Sequence, residues 1–179
     1  IMNGIDAVCP VGTTGESATL THDEHKRCIE IAVEVCKGTT AKVLAGSGSN
    51  ATAEAIEIAK HAQKSGVDAI FSVSPYYNKP SQEGMYQHFA AITAVSELPV
   101  MLYNVPGRTS SNISAETVLR LANDFQGTII AVKEASGNLE QVMEIIGKRP
   151  EGFLVVSGDD SITLPLVAAG GDGVVSVIG

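Results

Sequence analysis

Residues 128–134 read Thr-Ile-Ile-Ala-Val-Lys-Glu: four apolar side chains in an unbroken row, closed by a lysine, Lys133. Successive strand residues point to opposite sides, so a strand with one wet face alternates apolar and polar. This stretch does not alternate and reads as a parallel strand covered on both faces. Six more stretches, 5–11, 41–45, 68–73, 99–103, 153–157 and 173–178, are mostly of the same kind.

Amphipathic segments with recognisable caps lie between these runs. Thr21 and Glu24 form a capping box before a helix expected to reach Cys36. Residues 52–65 place Ala55, Ile58, Ala59 and Ala62 on one face and stop at Gly66. Ser81 opens a third helix (Met85, Phe89 and Ile92 inward), and Ser114 a fourth (Val118, Leu121, Ala122 and Phe125). Asn138 opens a fifth, with Val142, Ile145 and Ile146 inward and Gly147 and Pro150 closing it, and Ser161 opens a short sixth. Strand and helix therefore alternate, with no linker or repeat tract. Two α/β folds suit the order, a doubly wound sheet and a (β/α)₈ TIM barrel. A complete barrel takes about 250 residues, whereas this sequence has 179. The expectation is a partial TIM-barrel catalytic domain over residues 1–179, comprising strands 2 to 8, without the first strand–helix unit and a C-terminal helical region.

Composition excludes several partners. The net charge is −8 and no basic cluster exists, which argues against nucleic acid. No apolar run reaches the roughly 20 residues a helix needs to span a bilayer, so no membrane role is expected. Cys9, Cys28 and Cys36 fit no zinc spacing. They read as reduced core thiols of a cytoplasmic protein, away from the motifs that follow.

In a barrel the chemistry sits at the C-terminal ends of the strands. The first run is followed by Gly12-Thr13-Thr14-Gly15-Glu16-Ser17, the third by Ser74-Pro75-Tyr76-Tyr77-Asn78, and the sixth by Gly158-Asp159-Asp160. The fourth ends in Tyr103-Asn104-Val105-Pro106-Gly107-Arg108-Thr109 and the fifth in Lys133-Glu134. Hydroxyls, phenols, one Lys and one Arg thus converge on one rim. An amine in an apolar strand loses hydration, its pKa falls, and the neutral nucleophile becomes accessible, as attack on a ketone requires. The alternative is a lysine that snorkels out or pairs with Glu134. Gly12–Ser17 can cradle a small anion or be an ordinary turn. Tyr76, Tyr77 and Tyr103 are rim aromatics or parts of a proton relay, and Arg108 a solvated charge or a carboxylate clamp. Residues 46–51, Gly-Ser-Gly-Ser-Asn-Ala, match the dinucleotide fingerprint G-x-G-x-x-A, but no acid ends the next strand, since Asp68 begins it. NAD binding is therefore rejected.

Taken in order, Gly-Thr-Thr-Gly-Glu-Ser, Pro-Tyr-Tyr-Asn-Lys-Pro, Tyr-Asn-Val-Pro-Gly-Arg-Thr, Val-Lys-Glu-Ala-Ser-Gly-Asn and Ser-Gly-Asp-Asp resemble the dihydrodipicolinate synthase family, within the N-acetylneuraminate lyase and class I aldolase superfamily. The resemblance runs through the whole chain. It implies a Schiff-base lyase that condenses pyruvate with L-aspartate 4-semialdehyde on the diaminopimelate route to lysine, with no cofactor and no metal. It implies that Lys133 forms the imine, that Tyr103 is the central acid/base, and that Thr14 and Tyr77 complete a relay, Tyr77 reaching in from a neighbouring subunit of a homotetramer. Thr13 and Thr14 would hold the pyruvate carboxylate, Arg108 the semialdehyde carboxylate, and Gly158 and the backbone of Val175 would line the pocket. The family usually has isoleucine at the place of Val175, a change a backbone role survives. The resemblance further implies a feedback site for lysine formed by Ser17, Ala18, His22, His25, Asn50, Glu54 and Tyr76. The rival readings are another pyruvate-dependent aldolase of the superfamily, which generally lacks the arginine at Arg108, and a catalytically dead barrel.

Overall fold

The computed structural model describes residues 4–177. Seven parallel strands form one sheet: β1 Ala7–Val8, β2 Lys42–Gly46, β3 Ala69–Val73, β4 Val100–Asn104, β5 Ile129–Glu134, β6 Leu154–Ser157 and β7 Gly173–Val174. Their spatial order is their chain order throughout, β1 to β7. A doubly wound sheet reverses direction at its switch point. Unreversed order is that of a (β/α) barrel wall, so the register decides between the two folds left open by the pattern.

The helices α1 His22–Cys36, α2 Thr52–Ser65, α3 Gln82–Thr93, α5 Ala115–Asp124, α6 Leu139–Lys148 and α7 Thr163–Ala168 connect the strands, and a single turn, α4 Pro106–Thr109, follows β4. The expected caps at Thr21, Ser81, Ser114 and Asn138 all accept a backbone N–H, and Thr21 with Glu24 closes a full capping box. Two helix ends differ from expectation. Gly147 lies inside α6, which stops at Lys148 before Pro150, because a glycine permits helix whereas a proline removes the donor. Ser161 does not open α7. Asp159 accepts the Ser161 N–H and caps a 3₁₀ turn, Asp160–Ile162, that leads into the helix.

The outer strands are shorter than the apolar runs that announced them. Residues 5–11 yield only Ala7–Val8, and 173–178 only Gly173–Val174, with Ile178 outside the described residues. Each has a single neighbour in the described sheet, so half of the backbone bonds that extend an inner strand are missing.

Side chains alternate across the wall. Ile70, Val100, Leu102, Ile129, Val132 and Val155 pack outward under the helices with Phe89, Val118, Leu121 and Ile145. Phe71, Val73, Met101, Tyr103 and Ala131 face the other way and fill the interior. Lys133 shares that inward column: Val73 pairs Tyr103, Tyr103 pairs Lys133, and Lys133 pairs Val156 in register.

Candidate active site

Lys133 is only 6% exposed, and its Nζ lies 4.3 Å from the centroid of the Tyr103 ring and 5.4 Å from that of Phe71. The two rings stack at 4.9 Å, forming an aromatic wall beside the amine. Burial pulls the ammonium pKa below its ordinary value; Cys9 and Asp160 partly oppose this, and the positive charge of Arg108 adds a smaller push downward. Among the described residues Lys133 makes no ion pair. Glu134 is no partner for it, because consecutive strand residues face opposite sides. The Glu134 carboxylate points under the helices, fully buried, and accepts from Asn104 Nδ2, Gln141 Nε2 and the Ser136 N–H. The inward, unpaired arrangement leaves an amine that can lose its proton cheaply and attack a carbonyl.

Tyr103 is 3% exposed, and burial raises its phenol pKa, with Arg108 acting in the other direction. The phenol is therefore protonated at neutral pH and able to donate. Arg108 stands on α4, exposed, yet its charge reaches both Lys133 and Tyr103. Gly158 follows β6 directly against the lysine: a Cβ there would stand 2.8 Å from Lys133 Cε and 2.7 Å from Ala135 Cβ. Only glycine lets the lysine stem pass. Val175 packs at the edge of the interior cluster, and its N–H already donates to Ser157 O, so only its carbonyl is left to serve a ligand.

Thr13 and Thr14 lie in a 3₁₀ turn, Thr13–Gly15, after β1. Thr13 and Ser17 line a shallow, open cleft whose other walls include Gly12, Gly46, Gly48 and Phe71. Phe71 is thus a wall of this cleft and also the ring beneath Lys133. Tyr77 is not brought to Lys133 within the chain. It is 88% exposed, on a left-handed backbone of φ 73°, with its N–H donating to Thr109 O.

The seven residues expected to form a lysine site are not all placed alike. His22 Nε2 lies 3.3 Å from Glu54 Oε1, Ser49 Oγ donates to Glu54 Oε2, and Asn78 Nδ2 donates to the Asn50 carbonyl. Ser17 and Ala18 share the 3₁₀ turn Ser17–Thr19, and Tyr76 packs on the interior aromatic cluster. His25 is instead 8% exposed, with Nε2 donating to Gly46 O at 2.7 Å. Burial lowers its pKa, and its first task is to hold the end of β2.

The Gly-Ser-Gly-Ser-Asn-Ala match proves to be packing. A Cβ on Gly46 would stand 2.3 Å from Val11 O, and one on Gly48 2.4 Å from Val73 N. The Gly46 and Ser47 N–H groups bond Pro10 O and Phe71 O, which removes two of the donors a pyrophosphate would need.

The whole chain, residues 1–179, matches the model of the dihydrodipicolinate synthetase family. The chain belongs to that family. A curated relative from Sulfurovum sp. (strain NBC37-1), named 4-hydroxy-tetrahydrodipicolinate synthase, is 66% identical over 99% of this chain and 59% of its own length. Among solved structures of the family, the enzyme from Cyanidioschyzon merolae with lysine bound superposes with a TM-score of 0.95 at 50% identity, covering 98% of this chain and 59% of that one. The chloride-inhibited enzyme from Acinetobacter baumannii complexed with pyruvate superposes at 0.93 with 42% identity, covering 99% and 60%. The chain thus spans about 60% of the length of these relatives.

Four features of this family member escaped the sequence reading. Cys9, expected away from the motifs, lies within electrostatic reach of Lys133. Asp160 also reaches Lys133, and its carboxylate accepts from Ser176 Oγ. The Phe71 wall was within reach, since period-two reading of residues 69–73 puts Phe71 and Val73 on one side. The network around Glu134 joins residues up to 30 positions apart, and nothing local announces it.

Proposed function

We propose that this chain carries the imine-forming centre of a 4-hydroxy-tetrahydrodipicolinate synthase, a cytoplasmic Schiff-base lyase that condenses pyruvate with L-aspartate 4-semialdehyde in lysine biosynthesis. The observation that carries the reading is the buried, unpaired Lys133 amine against the Tyr103 ring, its pKa lowered by desolvation. The neutral amine attacks the pyruvate carbonyl carbon, and the carbonyl oxygen leaves as water. The protonated imine draws electrons from the adjacent methyl, which loses a proton to give an enamine, and this adds to the aldehyde carbon of the semialdehyde. The semialdehyde amino group then attacks the imine carbon, closing the ring and releasing Lys133. No metal or cofactor enters any step. Tyr103 supplies and removes protons, a contribution worth about 10²–10⁴-fold. Thr13 and Thr14 hold the pyruvate carboxylate, and Gly158 and the Val175 carbonyl line its pocket. Arg108 clamps the semialdehyde carboxylate, as a charge already felt by both reacting groups.

Tyr77 completes the relay with Thr14 from a second subunit of a homotetramer. An exposed aromatic on a left-handed backbone costs of order 1–3 kcal/mol and finds no packing in its own chain, which supports a task across an interface. Lysine inhibits at a separate site of Ser17, Ala18, His22, His25, Asn50, Glu54 and Tyr76, where the Glu54 carboxylate receives the ammonium. The lysine-bound relative supports this part of the reading.

The deciding experiment is borohydride reduction of the full-length protein carrying this sequence in the presence of pyruvate. The mass of a reduced pyruvyl adduct is expected on the peptide containing Lys133. An adduct on a different lysine, or none, overturns the assignment.

A further inference from the structure

Glu134 raises a question the reaction does not answer. It is a fully buried carboxylate that makes no ion pair among the described residues. Asn104 Nδ2 donates to both of its oxygens at 3.1 and 3.0 Å, Gln141 Nε2 to Oε2 at 3.0 Å, and the Ser136 N–H to Oε1 at 2.8 Å. An isolated buried ion is expensive, and neutral donors offset only part of that cost. A glutamate kept here for stability alone would be a poor choice.

Its place in the register is informative. Tyr103 pairs Lys133, and one step further Asn104 pairs Glu134. These are the last residues of β4 and β5, with Asn104 O still accepting from the Ala135 N–H and Glu134 O from the Gly158 N–H. Inward, this pair of strand ends carries the amine and the phenol. Outward, the same two strand ends are tied side chain to side chain by Asn104 and Glu134. The tie extends further. Asn104 Oδ1 accepts the Ile113 N–H at 3.0 Å and its Nδ2 donates to Asn112 Oδ1 at 2.8 Å. Gln141 Nε2 donates to the Ile113 carbonyl at 3.2 Å, and Asn112 Nδ2 to Gln141 Oε1 at 2.9 Å. Asn112 and Ile113 end the segment that follows β4 and holds Arg108. One buried carboxylate therefore gathers the strand of the amine, the strand of the phenol, and the far end of the arginine segment.

We infer that Glu134 is a positioning residue, which through Asn104 and Gln141 sets Lys133 against Tyr103 and anchors the segment carrying Arg108. It touches neither substrate and acts by geometry. This rests on the proposed imine chemistry at Lys133 and adds to it a structural cause for the alignment. Glutamine in its place keeps the volume but turns one acceptor into a donor that faces donors, so the tie loosens without a cavity.

The test is Glu134→Gln in the full-length protein carrying this sequence, with Glu134→Asp as a charge-conserving variant one methylene shorter. Pyruvate imine trapping with borohydride is followed against pH, beside steady-state turnover and the thermal midpoint. For Glu134→Gln the plateau rate of trapping and kcat are expected to fall about 10–100-fold, the scale of a displacement of about 1 Å at a reacting pair. The pyruvate KM should change little. The pH at the midpoint of the trapping profile should stay where it is in the wild type, because the carboxylate acts through position. Glu134→Asp should lie between the two. A Glu134→Gln protein that melts lower but traps and turns over like the wild type would show the network to be merely structural. A displaced midpoint with an unchanged plateau would show that Glu134 acts by its charge and overturn the positioning role. If the wild type itself gives no adduct on Lys133, it is the proposed reaction that fails.

Discussion

At the scale of single residues, the site works through what its neighbours forbid. Burial forbids Lys133 a full hydration shell, so its neutral form gains, and the rate of pyruvate adduct formation should rise with pH along a limb centred below the ordinary lysine value. Arg108 contributes to that depression through its charge. Arg108→Ala should therefore move the limb upward, besides raising the semialdehyde KM far more than the pyruvate KM. Adduct formation measured across pH checks the first effect and two-substrate kinetics the second; a limb that moves downward would contradict the electrostatics. Gly158→Ala is the steric counterpart. The added methyl would overlap Lys133 Cε at 2.8 Å, so the lysine stem must swing away. Adduct formation should drop on the order of 10²-fold while far-UV circular dichroism is unchanged. Wild-type trapping by this variant would mean that the pocket has slack the packing does not suggest.

At the scale of elements, α2 and α3 meet over a histidine with an unusual burden. His88 is 4% exposed, its Nδ1 lies 2.9 Å from Thr52 Oγ1, and its Nε2 is buried with no partner. Burial lowers its pKa from 6.5 to about 4. The sign follows from proton counting. Between these two values the unfolded chain binds a proton that the folded chain refuses, so stability falls as pH drops from 6.5 to about 4 and is unaffected by this group above that window. The full loss is roughly 3 kcal/mol, from about 1.4 kcal/mol per unit. His88→Leu should flatten the acid side of a plot of unfolding free energy against pH; an identical slope in the variant would assign the acid sensitivity to other groups. The Thr21–Glu24 capping box offers a simpler case, legible in four residues of sequence. Thr21→Ala removes the acceptor for the Glu24 N–H and should cost about 1 kcal/mol by denaturant titration.

At the scale of the whole molecule, the described sheet has two free edges, and apolar side chains lie near both. Ile31 and Val35 of α1 are 43% and 62% exposed, and Leu164 and Val167 of α7 are 80% and 44% exposed. Unpaired strand edges beside apolar helix faces invite association. Residues 1–179 expressed alone should scatter light as concentration rises and melt without a sharp transition, whereas a concentration-independent monomer with a cooperative melt would show that these edges are satisfied in the isolated chain. The proposed role of Tyr77 across a subunit interface is checked at the same scale. Mixing a Tyr77→Phe protein with a Lys133→Ala protein, both full-length, should restore part of the activity once subunits exchange, and no recovery after demonstrated exchange would count against a shared site.

The sequence by itself determined the elements and marked the candidate positions at their ends. Unbroken apolar rows announced strands covered on both faces, four of the five expected N-caps stand as read, and a lysine closing an apolar row singled out Lys133, because these signals are local and depend on neighbours a few residues away. The barrel order, the exposure of Tyr77, the burial of His25 and the presence of Cys9 and Asp160 around the amine were decided by tertiary structure alone. So was the choice between an inward, unpaired lysine and an ion-paired one. Lys133 and Glu134 are neighbours in sequence, but the pleat of β5 sends one inward to Tyr103 and the other outward to Asn104 and Gln141. Which face is the interior depends on strands and helices tens of residues away, and a linear chain does not state it.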